Sequence, residues 1–190
     1  MINSKLSHVQ TLEDFNSEII RQQEEAHGIG YCDIHKAIKK YLKNDDVYME
    51  FGVHQGGTAS TAMLAKPKSI ILVDIKMAKY NMFLSPIANK WCEENNIELK
   101  VKQTSSIDLG SLNYCDVLMI DSVHTHDHMT AELSLHGGSI CKYIIAHDTS
   151  RLFGRPNDVL FRVLENFAKA NKWEIIERGT DNVGYTVLKK

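Results

Sequence analysis

The chain has 190 residues, 43% of them hydrophobic: enough apolar material for one full core and too little for two, so residues 1–190 are expected to form a single domain. A formal net charge of -2 gives no electrostatic ground for a nucleic-acid backbone or an anionic membrane surface; no nucleic acid and no membrane are expected, and a small-molecule acceptor fits better. The four cysteines, Cys32, Cys92, Cys115 and Cys141, form no CxxC pair, which disfavours a zinc or disulfide framework.

Residues 1–46 are polar and helical in pattern. Leu12, Phe15, Ile19 and Ile20 fall on one face, HGIG breaks the run, and Ile34, Ala37, Ile38, Tyr41 and Leu42 fall on another. Two helices are expected, packed on the edge of a sheet or lying over the site as a lid. The opening MINSKLSHVQTLEDF has no apolar signal core, and no run approaches the roughly 18 apolar residues of a membrane span, so a cytoplasmic protein is expected.

The organising stretch is 47–74, VYMEFGVHQGGTASTAMLAKPKSIILVD. It reads as strand, glycine loop, helix and strand, a parallel unit that opens a small-ligand site where strand ends meet the helix N-terminus. Beyond it, 77–95 has helical spacing with Pro86 as a break or helix start, and 97–101 alternates as a short strand. The segments YCDVLMID (114–121) and KYIIAHD (142–148) read as strands buried on both faces; Cys115 and Cys141 lie in these apolar runs and read as small buried hydrophobes. Helices are expected over 126–136 and 157–171, and WEIIERGTDNVGYTVLKK reads as two strands joined by a turn near 179–182. The pattern predicts an α/β, three-layer Rossmann-like fold, its sheet mostly parallel with one antiparallel strand in a C-terminal hairpin.

The chemistry-bearing residues sit at predicted strand ends. Glu50 closes the first strand; Gly52, Gly56 and Gly57 shape the loop; Asp74 closes the second strand, where nucleoside sites place an acidic residue on ribose hydroxyls. Thr58 and Ala59 stand where a P-loop needs Lys and Ser/Thr, and the glycine spacing is GxxxGG rather than GxGxxG, so phosphate cradling is not expected. Asp121 and Asp148 end two core strands with His147 beside them. That leaves three readings open: a divalent cation site favouring Mg²⁺ or Mn²⁺, a metal-free hydrogen-bonding site, or a structural cluster. His124, three residues after Asp121, is a candidate proton acceptor or a helix cap. His126 and His128 are expected on the surface of the following helix, with Asp127 and Glu132 in a solvated region. HTHDH is one residue short of the HxHxDH zinc motif of metallo-hydrolases.

The motif EFGVHQGGT with its downstream Asp74 resembles the first motif of class I S-adenosylmethionine-dependent methyltransferases. It is similar in particular to a subgroup containing metal-dependent sugar and antibiotic O-methyltransferases and cephalosporin-hydroxylase-like proteins. The resemblance implies S-adenosylmethionine as cofactor, with Gly52, Gly56 and Gly57 along its methionine part, Asp74 on the ribose and Ser105 near the adenine. It implies Mg²⁺ or Mn²⁺ on Asp121, His147 and Asp148, although His147 stands where a carboxylate is usual, with His124 beside the reacting hydroxyl. Methyl transfer to a small-molecule hydroxyl is therefore expected, possible as a homo-oligomer. Alternatives are a cofactor-binding module without transferase activity and a metal-dependent hydrolase. Arg151 and Arg155, in the segment TSRLFGRPN, are candidates to meet an anionic substrate or to be solvated loop charges.

Overall fold

The computed structural model describes residues 6, 9–110, 114–152 and 155–190. Residues 1–5, 7 and 8 of the N-terminal segment, and Phe153 and Gly154 of the segment 149–157, lie outside the described residues. Two helices, α1 (Leu12–His27) and α2 (Asp33–Tyr41), lead into β1 (Val47–Phe51), α3 (Gly57–Leu64) and β2 (Ser69–Asp74). Then follow α4 (Ala78–Phe83), α5 (Ser85–Glu94), β3 (Glu98–Gln103), β4 (Cys115–Ile120), α6 (His126–His136) and β5 (Ile140–His147). The chain closes with a two-residue ribbon, β6 (Arg151–Leu152) and β7 (Arg155–Pro156), then α7 (Val159–Asn171), β8 (Glu174–Gly179) and β9 (Tyr185–Lys189).

Seven strands form one sheet in the order β3-β2-β1-β4-β5-β9-β8, and only β9 runs against its neighbours. The expected architecture is the observed one. Because side chains alternate along a strand, β1 sends Tyr48 to one face and Met49 and Phe51 to the other. Tyr48, Ile70, Leu72, Val117, Met119, Ile145 and Val187 pack under α1 to α5; Leu118, Ile120, Ile144 and Leu188 pack under α6 and α7. Thr11 caps α1, its hydroxyl accepting from the Asp14 amide at 3.1 Å. Pro86 lies in the first turn of α5, where its missing amide hydrogen costs nothing.

Two expectations change. The N-terminal helices lie across a sheet face rather than at its edge: α1 packs on α3 and α5, and α2 on α3, β5 and β9, covering strands that α3 and α5 leave bare. Cys115 is buried, but Cys141 is exposed. Opposite β4 the register of β5 shifts, with Cys115 facing Ile140 and Val117 facing Tyr143, and this bulge turns Cys141 and Lys142 outward. No described helix is long and apolar enough to cross a membrane.

Candidate functional site

A cavity of about 470 Å³ opens at the C-terminal ends of the parallel strands, beside β1 and β4, where the strand order reverses. Its floor is the loop after β1. Gly52 has φ of 88°, and a Cβ there would stand 2.0 Å from the Asp121 carbonyl oxygen. Only glycine lets the ends of β1 and β4 approach this closely. The loop is then held by Asp74, whose Oδ2 accepts from the amides of Val53 (2.8 Å) and His54 (2.9 Å) and whose Oδ1 accepts from Lys76 (2.8 Å). These bonds fix His54 in a left-handed conformation, φ 50°.

Gly52, Gly57, Asp74 and Ser105 line the cavity. Glu50 and Gly56 are not among its lining residues. Glu50 is fully buried, accepting from the Tyr48 hydroxyl at 2.7 Å and the Thr58 hydroxyl at 2.7 Å. Burial pushes its carboxyl up to about 8, against the pull of those two hydrogen bonds. It reaches the cavity only through Thr58, which does line it. Gly56 begins α3 in a left-handed conformation with the Leu84 side chain packed against its Cα.

The other end of the cavity is built from side chains. His124 Nε2 lies 3.1 Å from Asp121 Oδ1 and 3.1 Å from Asp148 Oδ2. His147 Nδ1 lies 3.4 Å from Asp121 Oδ2 and 3.5 Å from Asp148 Oδ2, so two imidazoles bracket two carboxylates. Asp148 has φ of 56°, a strained value for a residue with a side chain. Burial, followed by the neighbouring Asp121 charge, raises the Asp148 carboxyl to about 6. Burial also opposes ionisation of Asp121, but the neighbouring His147 charge and the hydrogen bond from His124 hold it well below the usual carboxylate range. For His147, burial favours the neutral ring, yet Asp121 and Asp148 outweigh it and raise the ring to about 9. His124 is raised by its hydrogen bond to Asp121.

The ligand set expected from sequence was Asp121, His147 and Asp148. Donor atoms of Asp121, His124 and Asp148 converge within 4.8 Å of one another, which brings His124 to the two expected carboxylates. His147 stands behind this group: its Nε2 faces the Tyr31 carbonyl at 3.3 Å, a contact that leaves Nδ1 of a neutral ring as the acceptor turned toward the two carboxylates. Two carboxylates and one imidazole are a fitting donor set for Mg²⁺ or Mn²⁺ completed by water or substrate oxygens.

The histidines of HTHDH diverge. His124 turns to Asp121; His126 is exposed and pairs with Asp127 at 2.8 Å; His128 lines the cavity and contacts Ser106 at 3.1 Å. Glu132, expected in a solvated region, is fully buried and accepts from the hydroxyls of Ser106 (2.5 Å) and Ser122 (2.6 Å). Sequence held a signal for this: Met129, Glu132, Leu133 and His136 share the buried stripe of α6 at helical spacing. Gln23 of α1, Tyr31 of the turn after it and His35 of α2 also line the cavity. Nothing in sequence tied them to strand ends so distant along the chain.

No protein-family model and no curated protein matches the chain. Solved structures share its fold at low identity. The m1A22 tRNA methyltransferase TrmK of B. subtilis aligns with a TM-score of 0.55 at 14% identity, over 82% of this chain and 63% of that one. TrmK of M. capricolum, solved in complex with S-adenosylhomocysteine, aligns with a TM-score of 0.55 at 13% identity over 82% and 66%. The ribosomal protein L11 methylase of Lactobacillus delbrueckii subsp. bulgaricus aligns with a TM-score of 0.60 at 13% identity over 84% and 78%. The chain therefore spans less than two thirds of the length of either TrmK structure. The fold is that of the methyltransferases. The expectation that nucleic acid is excluded as a partner is overturned, because a tRNA methyltransferase is among the proteins built on this fold.

Proposed function

We propose that this protein transfers a methyl group from S-adenosylmethionine to a hydroxyl oxygen, with the acceptor bound beside a divalent cation. One observation carries the reading: the glycine loop, Asp74 and Ser105 at one end and the Asp121–His124–Asp148 group at the other open into the same cavity. The likeness of EFGVHQGGT to the metal-dependent O-methyltransferases supports it from sequence.

In this reading the chain acts by positioning. Backbone of the loop 52–58 lies along the amino-acid part of the methyl donor, Asp74 and Ser105 face its nucleoside, and the N-terminal helices close the acceptor end. Asp121, His124 and Asp148 would hold the cation, with His147 Nδ1 3.4 Å and 3.5 Å from the same two carboxylates. The cation supplies a Lewis acid that lowers the pKa of a bound hydroxyl. His124 would then be a ligand rather than the free proton acceptor first read for it, and the hydroxyl's proton would leave to water at the cavity mouth.

The test is transfer of labelled methyl from S-adenosylmethionine to catechols, sugars, polyketides and tRNA transcripts, with and without Mg²⁺ or Mn²⁺. Metal-dependent labelling of a hydroxyl compound, lost in Asp121→Asn and Asp148→Asn, is expected. Full turnover by both variants would end the metal reading. A second reading, an RNA acceptor, is favoured by the likeness to TrmK and predicts label in tRNA without need of the cation. Cofactor binding with no labelling of any acceptor would favour a binding module.

A further inference from the structure

The buried polar contacts between the N-terminal helices and α3 form a directed hydrogen-bond chain. The Ser60 hydroxyl donates to the Gly57 carbonyl at 2.7 Å, so its oxygen is left to accept, and it does so from Asn16 Nδ2 at 2.9 Å. The second hydrogen of that amide goes to Thr61 Oγ1 at 2.6 Å. Thr61 therefore has its own hydrogen to give, and the near partner is His35 Nδ1 at 2.6 Å, against 3.5 Å to the Gly57 carbonyl. An Nδ1 that accepts leaves the hydrogen of a neutral imidazole on Nε2.

His35 is 4% exposed, and what remains uncovered faces the cavity. Burial, aided by the charges of His147 and Lys39 and opposed by Asp121, lowers the ring to about 3, in keeping with a neutral side chain. No described residue hydrogen-bonds its Nε2. Gln23 lines the same wall, and its amide would lie 3.2 Å from a Cβ placed on Gly57. Two uncharged donors thus flank the first turn of α3, where unpaired backbone amides favour an anion.

We propose that His35, held as the Nε2–H tautomer by the Asn16–Thr61 chain, donates a hydrogen bond to the amino-acid carboxylate of S-adenosylmethionine. This rests on the cofactor reading above. The carboxylate lies against the N-terminal end of α3, between His35 and Gln23. Sequence gave no hint of this, since His35 reads as one more residue on an amphipathic helix.

Calorimetric titration with S-adenosylhomocysteine and with 5′-methylthioadenosine, which lacks the amino-acid part, tests the assignment. For His35→Phe we expect a loss of about 10-fold for S-adenosylhomocysteine, the loss typical of one hydrogen bond to a charged group, and no loss for methylthioadenosine. His35→Asn, which keeps an N–H donor, should recover part of the loss, and Thr61→Val should reproduce part of it. Equal losses for both ligands, or none for either, would overturn the proposal while leaving the cofactor reading intact. Failure of the unsubstituted protein to bind either ligand would overturn both. Imidazole ¹⁵N NMR gives an independent check: Nε2 protonated and Nδ1 bare between pH 8 and 5 is expected, and the opposite tautomer or a titration in that range would contradict it.

Discussion

The sheet carries a pair of carboxylates at each end, fully buried at one and partly open to a cavity at the other, and the two pairs are built for different tasks. At the N-terminal ends of the strands, Asp46 and Asp116 share the ammonium of Lys142, while Asp116 also accepts from the Val47 amide (2.9 Å) and the Tyr114 hydroxyl (2.6 Å). At the C-terminal ends, the cationic partners of Asp121 and Asp148 among the described residues are imidazoles, and both acids face a cavity. Buried acids with a permanent cation and donated hydrogen bonds hold structure together. Acids at a cavity wall whose partners titrate are arranged to exchange those partners for something else.

The largest predicted effect breaks the structural pair. Asp116→Ala strands the Val47 amide and removes a partner of Lys142, and should cost about 3 kcal/mol of stability by denaturant unfolding with little change in ligand affinity. The reverse split is expected at the other end. Asp121→Asn should lower cation-dependent methyl transfer by about 100-fold while changing stability by less than about 1 kcal/mol, because it also relieves repulsion with Asp148. A large stability loss in Asp121→Asn would erase the distinction between the two ends.

The ends should also fail at opposite extremes of pH. Asp116 lies below the usual carboxylate range because Tyr114, the Val47 amide and Lys142 outweigh its burial. Its contribution is present above the unfolded value near 4 and disappears as pH falls through the folded value. His147 is raised to about 9, so its contribution is complete below the unfolded value near 6.5 and is lost as pH rises through about 9. Thermal unfolding against pH should show both limbs. Mg²⁺ or Mn²⁺ should restore the alkaline limb alone, since only there are carboxylates left without a cation. The smallest effect concerns the cavity wall: Ser105→Ala should weaken S-adenosylhomocysteine by about 3-fold and leave stability unchanged, consistent with loss of one neutral hydrogen bond.

What sequence revealed follows the same division. The apolar runs ending in Glu50, Asp74, Asp121 and Asp148, and the glycines between the first two, set the alternation of strand and helix and the cavity's position, because strand ends and tight loops are local patterns. Gly52 was legible because backbone proximity demands glycine. The partners of the acids were less so. The orientation of His147 depends on the Tyr31 carbonyl, more than 90 residues away in the chain, and Glu132 was misread because its charge suggested solvent while its helical position demanded burial. Cys141 was misplaced by a bulge that no apolar run announces.

Isothermal titration with S-adenosylhomocysteine, with and without Mg²⁺, on the unsubstituted protein and on Asp74→Ala, tests the central claim most directly. Binding in the micromolar range, lost in Asp74→Ala and retained in Asp121→Asn, is the predicted result, with the order of magnitude that of an ordinary small-molecule site. No heat of binding from the unsubstituted protein, with or without the cation, would contradict the assignment of this cavity to a methyl donor.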